Sequence, residues 1–258
     1  MPSEILKNKP LVEAICQVKW KLESEPGQGL PVDTHYRLLL GRFSERIQEK
    51  YPFHEALPTA QIPDELVSHR PQHRFRNAPA DWPLIQLGPG IMTINETDRY
   101  VWESFFKNCE DAVKSLYDSH PTPRDFAIQS LSLRYIDAVE VDFQEESVFA
   151  FLKSKFKTEI ALPGSLFDNP DVQKEPVDFS WQASFPLGSS GDIITLRFAK
   201  GEVKGKSALI WETLVQTNDD TIELTPEVFP DWLTKAHELT HDWFFKLIAG
   251  ELEGRFSK

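Results

Sequence analysis

Cysteine, methionine and glycine are all scarce in this chain, with two Cys, two Met and twelve Gly among 258 residues. Two cysteines exclude a disulfide framework. Cys16 and Cys109 both fall at apolar-periodic positions, where a thiol acts as a small buried hydrophobe of a reducing compartment. No G-x-G-x-x-G, G-x-x-x-x-G-K-[ST] or G-x-S-x-G occurs, which removes the dinucleotide fingerprint, the P-loop and the nucleophile elbow. Basic residues are also short: 28 Lys and Arg stand against 40 Asp and Glu, a net charge of −12. That balance disfavours attraction to a phosphate backbone, so nucleic-acid binding would need a local basic patch. Long apolar runs are missing as well. Residues 1–10 carry no apolar signal region, and later clusters are cut by lysine, as in Phe244-Phe245-Lys246-Leu247-Ile248. The expectation is a cytoplasmic protein without a membrane span.

What is abundant is ordinary core material. Hydrophobic residues make up 40% and charged residues 26%, with seven tryptophans, enough for a stable interior without metal or disulfide staples. The nineteen prolines then punctuate loops.

Over residues 12–22 the even positions Val12, Ala14, Cys16, Val18, Trp20 and Leu22 are apolar between polar neighbours, the pattern of a strand with one dry face. After a loop with Glu25-Pro26-Gly27-Gln28-Gly29, Asp33 or Thr34 can cap a helix running to about residue 50 along Tyr36, Leu39, Leu40, Phe43 and Ile47. Residues 53–83 are proline-rich and read as an irregular passage. Strands over 84–87 and 91–95 flank Gly88-Pro89-Gly90, and a helix over 99–119 carries Trp102, Phe105, Phe106, Cys109, Val113 and Leu116 at three- and four-residue spacing. Past a break at 120–123 come a long strand with Leu131, Leu133, Tyr135, Val139 and Val141, and a short helix over 146–157. Three strands around Phe179–Phe185, Ile194–Phe198 and 208–216 follow, then a final helix from Thr225-Pro226 to about residue 254. The expected class is α+β, an antiparallel sheet with long amphipathic helices packed on one face. The order strand, helix, strands, helix occurs in 1–120 and again in 121–258, which admits an internal duplication forming one continuous unit.

One stretch has a chemical mechanism attached. His237-Glu238-Leu239-Thr240-His241 spells H-E-x-x-H, in which two histidines one turn apart hold zinc and the glutamate activates water. A catalytic zinc wants a third protein ligand, and no third histidine follows at the metzincin spacing. His69, His73 or Asp137 would have to supply it from upstream. The bland alternative leaves the histidines bordering the core with Glu238 solvated, and no cofactor bound.

A second candidate is His69-Arg70-Pro71-Gln72-His73-Arg74-Phe75-Arg76, a basic run with an aromatic in an acidic chain. Arg70, His73, Arg74 and Arg76 could grip a phosphate, RNA or an acidic protein, or simply form a solvated edge. Arg134 lies on the strand face opposite Leu133 and Tyr135, placed for an ion pair or an acidic ligand. Asn218-Asp219-Asp220 lacks the rest of a calcium loop and reads as a turn.

Several segments together resemble a sporadically distributed, functionally uncharacterised bacterial family that begins with an N-x-P-[ILV]-V-E-A signature. They are Asn8-Lys9-Pro10-Leu11-Val12-Glu13-Ala14, Gln86-Leu87-Gly88-Pro89, Thr93-Ile94-Asn95, Tyr100 with Trp102-Glu103, Leu133-Arg134-Tyr135-Ile136-Asp137, and His237 with Phe244, Phe245 and Glu251-Leu252. The resemblance spans nearly the whole chain and implies one architecture, no established activity or cofactor, and the patchy occurrence of horizontally acquired accessory genes, defence systems among them. Asp137 stands where such proteins more often carry Asn.

The absence of a coherent catalytic set leads to the expectation of a non-enzymatic accessory module that binds another protein through its sheet face or through residues 53–83, in a defence or stress system. A zinc-dependent hydrolase using His237, His241 and Glu238 is the first alternative. RNA or nucleotide binding through residues 69–76 is the second. Oligomeric state is not legible in the sequence.

Overall fold

The computed structural model describes residues 6–23, 30–97, 99–123, 126–188, 191–217 and 225–257. The loop at 25–29 and the Asn218-Asp219-Asp220 turn lie outside the described residues. The described strands number nine and join in one antiparallel sheet. They are β1 (Leu11–Trp20), β2 (Phe53–Ala56), β3 (His73–Arg76), β4 (Leu84–Gly88), β5 (Ile91–Glu96), β6 (Ile128–Glu140), β7 (Ser180–Pro186), β8 (Ile193–Val203) and β9 (Lys206–Gln216), in the spatial order β2-β3-β4-β5-β1-β6-β9-β8-β7. The helices are α1 (Tyr36–Ile47), α2 (Trp102–Ser119), α3 (Val148–Phe156), α4 (Phe229–Ile248) and α5 (Glu251–Phe256).

The expected class is thereby corrected. The molecule is sheet-rich, organised by a single nine-stranded sheet, and not the α+β arrangement of long helices laid over one sheet face that the periodicity predicts. The physical reason lies in the 53–83 passage. Its strands β2 and β3 are four residues each, too short to show a period of two, and the prolines around them mask the pairing. They nevertheless pair residue by residue, Phe53 opposite Arg76 and Ala56 opposite His73, and extend the sheet at one edge.

At the centre β1 pairs with β5 on one side and with β6 on the other. The sheet therefore runs unbroken across residues 121–123. The alternation read in β1 holds, with Ala14, Cys16, Val18 and Trp20 buried. Close to its start β1 is bulged: Leu11 pairs with Asp137 and Glu13 with Ile136, so one extra residue is accommodated beside Asp137.

Buried side chains form two apolar clusters. The larger gathers Cys16, Val18, Leu87, Ile94 and Leu133 with Leu39, Phe43, Phe105, Cys109 and Trp232. The smaller gathers Phe198, Leu209 and Trp211 with Phe151, Phe156, Ile248 and Phe256. Both cysteines are free and buried, as their positions predict.

The last expected helix is two. α4 ends at Ile248, and Gly250, at φ +114°, takes a conformation closed to residues with a Cβ before α5 begins. Burial in α4 follows Phe229, Trp232, Leu233, Ala236 and Thr240, which places His237 and His241 at the border of the core.

Candidate functional site

Where the bulged start of β1 meets β6, the start of α2 and the middle of α4, the chain encloses a cleft of about 340 Å³. Leu6, Lys9, Pro10 and Leu11 wall it from the amino-terminal side, and Tyr100, Val101, Trp102 and Glu103 from the entry to α2. Tyr135 and Asp137 rise from β6 and Thr213 from β9, while α4 contributes His237, Thr240, His241, Phe244 and Phe245. The lining is mostly aromatic and aliphatic, with a few polar groups, the composition of a small-molecule site.

Its polar groups are ordered. The Tyr100 and Tyr135 hydroxyls share a hydrogen bond of 2.7 Å, and the Tyr135 hydroxyl shares another of 2.9 Å with Nδ1 of His237. The His237 ring stacks on Trp102 with centroids 3.6 Å apart and planes at 10°. Burial, reinforced by His241, lowers the His237 pKa to about 3, so the imidazole is neutral near pH 7. Burial likewise lowers the His241 pKa and raises those of the Tyr100 and Tyr135 phenols. Thr240 donates its hydroxyl back to the carbonyls of Ala236 and His237.

Asp137 differs from the rest. It is 3% exposed, and among the described residues no hydrogen bond or ion pair reaches its carboxyl, so burial alone pushes its pKa up to about 8. The cationic side chain in this wall is that of Lys9, whose ammonium donates to the Tyr100 carbonyl at 2.6 Å.

The H-E-x-x-H stretch divides accordingly. His237 and His241 face the cleft, ring centroids 5.6 Å apart, whereas Glu238 is exposed and outside it. Among the described residues no group of three or more His, Cys, Asp or Glu is placed to hold a metal ion. His69 and His73, named as upstream ligands, are far from the cleft in the fold. His69 reaches the Trp20 carbonyl, and His73 meets His54 at 2.9 Å on the β2–β3 edge.

The basic run is spent on local structure. Arg74 donates to Glu55 at 3.4 Å, Arg76 is buried with its guanidinium 5.2 Å from the Trp82 ring and bonded to the Asp81 carbonyl, and Arg70 alone of the three is exposed. Arg134, paired in register with Leu214, reaches Glu212 of β9 at 3.8 Å, so its partner is on the neighbouring strand.

Four of the segments on which the family resemblance was read converge on this cleft: Lys9-Pro10-Leu11, Tyr100 with Trp102-Glu103, Tyr135 with Asp137, and His237 with Phe244 and Phe245. The Gln86–Pro89 and Thr93–Asn95 segments lie elsewhere, in β4 and β5 and the turn between them. No family model matches the chain. No curated protein matches it either. A solved structure of the di-domain ARO/CYC StfQ from the steffimycin biosynthetic pathway aligns with 95% of this chain and 98% of its own, at 9% identity and a TM-score of 0.19, a likeness too weak to carry an argument.

Motif reasoning passed over Tyr100, Trp102, Tyr135, Thr213 and Lys9 as site residues. One signal was present. Leu131, Leu133, Tyr135 and Val139 alternate along β6, with Val141 just beyond its end, and the position the alternation skips is Asp137.

Proposed function

We propose that the protein is a non-catalytic binding module whose cleft takes a small organic molecule. The observation that carries this reading is the Asp137 carboxyl at the wall of an aromatic cleft, buried and without a partner among the described residues, a group that a bound molecule could satisfy. Binding is favoured over turnover because His237, the obvious acid–base group, keeps Nδ1 on Tyr135 and stays neutral down to pH about 3. A zinc hydrolase is not favoured, since Glu238 faces away from the cleft. Capture of a protein by residues 53–83 gains no support from the sheet edge they form.

The test is a fragment screen by ligand-observed NMR on the protein and on Val101→Trp. Val101 is 48% exposed and lines the cleft, so an indole there narrows the mouth without disturbing the core. Fragments that bind the protein are expected to lose binding to the variant. A hit set that binds both forms equally refutes the site.

A further inference from the structure

Building on that reading of the cleft, we infer that its ligand is an organic cation: an ammonium group on an apolar or aromatic body, with Asp137 as counter-ion. A buried carboxylate is tolerated when paired, and among the described residues no cation of the wall forms an ion pair with Asp137. The Lys9 ammonium is held by the Tyr100 carbonyl at 2.6 Å, and the His237 ring is fixed between Trp102 and Tyr135 as a neutral group. In this proposal the positive charge arrives with the ligand. Tyr100, Trp102, Tyr135, Phe244 and Phe245 make the lining aromatic, and aromatic rings attract ammonium groups once water is excluded. Glu103, exposed at the rim, and the net charge of −12 add a field that draws cations and repels acids.

The proton accounting follows. Unliganded, Asp137 holds its proton near pH 7. When a protonated amine binds, the carboxyl releases that proton to solvent and pairs as carboxylate, so one proton leaves per ligand bound. The other titratable groups around the cleft are Lys9 from the amino-terminal segment, Tyr100 and Glu103 at the start of α2, Tyr135 beside Asp137 on β6, and His237 and His241 on α4. Burial holds His237 neutral and lowers the His241 pKa, and the part of the pH dependence that belongs to Asp137 is the part that Asp137→Asn removes.

The experiment titrates 2-phenylethylamine, 2-phenylethanol and phenylacetate into the full chain and reads the Trp102 indole N–H by NMR, assigned through Trp102→Phe. The amine is expected to bind about tenfold or more tighter than the alcohol, which is one charged pair's worth of discrimination, with phenylacetate weakest. Its affinity should rise some tens of fold from pH 6 to pH 8 and fall about tenfold in Asp137→Asn, with the alcohol unchanged. Equal binding of amine and alcohol, or a preference for the acid, overturns the cation while leaving the cleft a ligand site. Failure of all three probes to move Trp102 overturns the site itself. Should Asp137→Asn not fold, the three-probe comparison and the pH profile decide the matter alone.

Discussion

Asp137→Asn should make the protein more stable, and by an amount set by pH. The carboxyl has an unfolded-state pKa of about 3.9 and a folded value pushed up to about 8. A raised acid pKa means that the native state keeps a proton the unfolded chain has lost. Its stabilising effect is complete below pH ~4 and is lost as pH rises towards 8. Across that window wild-type stability falls by up to ~1.4 kcal/mol per pH unit, or about 4 kcal/mol between pH 4 and pH 7. An amide of the same shape carries no such penalty and stands in for the protonated acid. The two proteins should therefore unfold alike near pH 4, while the variant gains on the order of 4 kcal/mol at pH 7 and levels off above pH 8. For a chain of this size that is a melting temperature roughly 10 °C higher at neutrality. Paired urea melts at pH 4, 5.5, 7 and 8.5 measure it. A difference that stays constant across the series refutes the claim that Asp137 is buried as a neutral acid, and with it the argument for an ionic ligand.

Three further outcomes follow from the same geometry. The His237 C2–H resonance should show no inflection between pH 8 and pH 4.5, because burial, reinforced by His241, holds its pKa to about 3; a midpoint near 6.5 would place the ring in solvent. Its lowered pKa contributes stability that is present above pH ~6.5 and lost as pH falls towards 3. Gly88→Ala should cost at least about 3 kcal/mol by chemical denaturation, since a Cβ there collides with the backbone of Arg70 and Pro71, whereas Gly41→Ala, on an open face of α1, should gain about 0.5–1 kcal/mol. Glu238→Gln should leave melting temperature and probe binding unchanged, because the side chain is exposed and outside the cleft; a lost ligand signal would restore the glutamate to the site.

Much of the architecture was legible where burial alternates cleanly. β1 and α2 were read within a few residues because each repeats an apolar period over several pleats or turns, and β5 and β9 because each is an apolar run that follows a glycine turn. What escaped was set by pairing rather than period. β2 and β3 are strands because the neighbouring strand β4 offers its ladder to β3, and four residues cannot announce that beforehand. The cleft escaped for a related reason. Its walls come from positions as far apart as Lys9 and Phe245, and the one motif with a known chemistry drew attention to Glu238, which the helix turns outward. The informative residue was a carboxylate at a dry-face position of a strand, legible only once Asp137 is treated as a violation of pattern.

The place of β1 also bears on how the chain reaches its native state. β1 comes before the other described strands in chain order yet lies fifth of the nine across the sheet, flanked by β5 some eighty residues later and β6 more than a hundred later. Until β6 is synthesised one side of β1 has no ladder, and its apolar face of Ala14, Cys16, Val18 and Trp20 waits for partners that local contacts cannot supply. Such long-range closure slows folding and lengthens the time during which an unpaired edge can recruit another chain. Deleting residues 1–20 would accordingly split the sheet at its middle, whereas deleting β7 would only trim its rim.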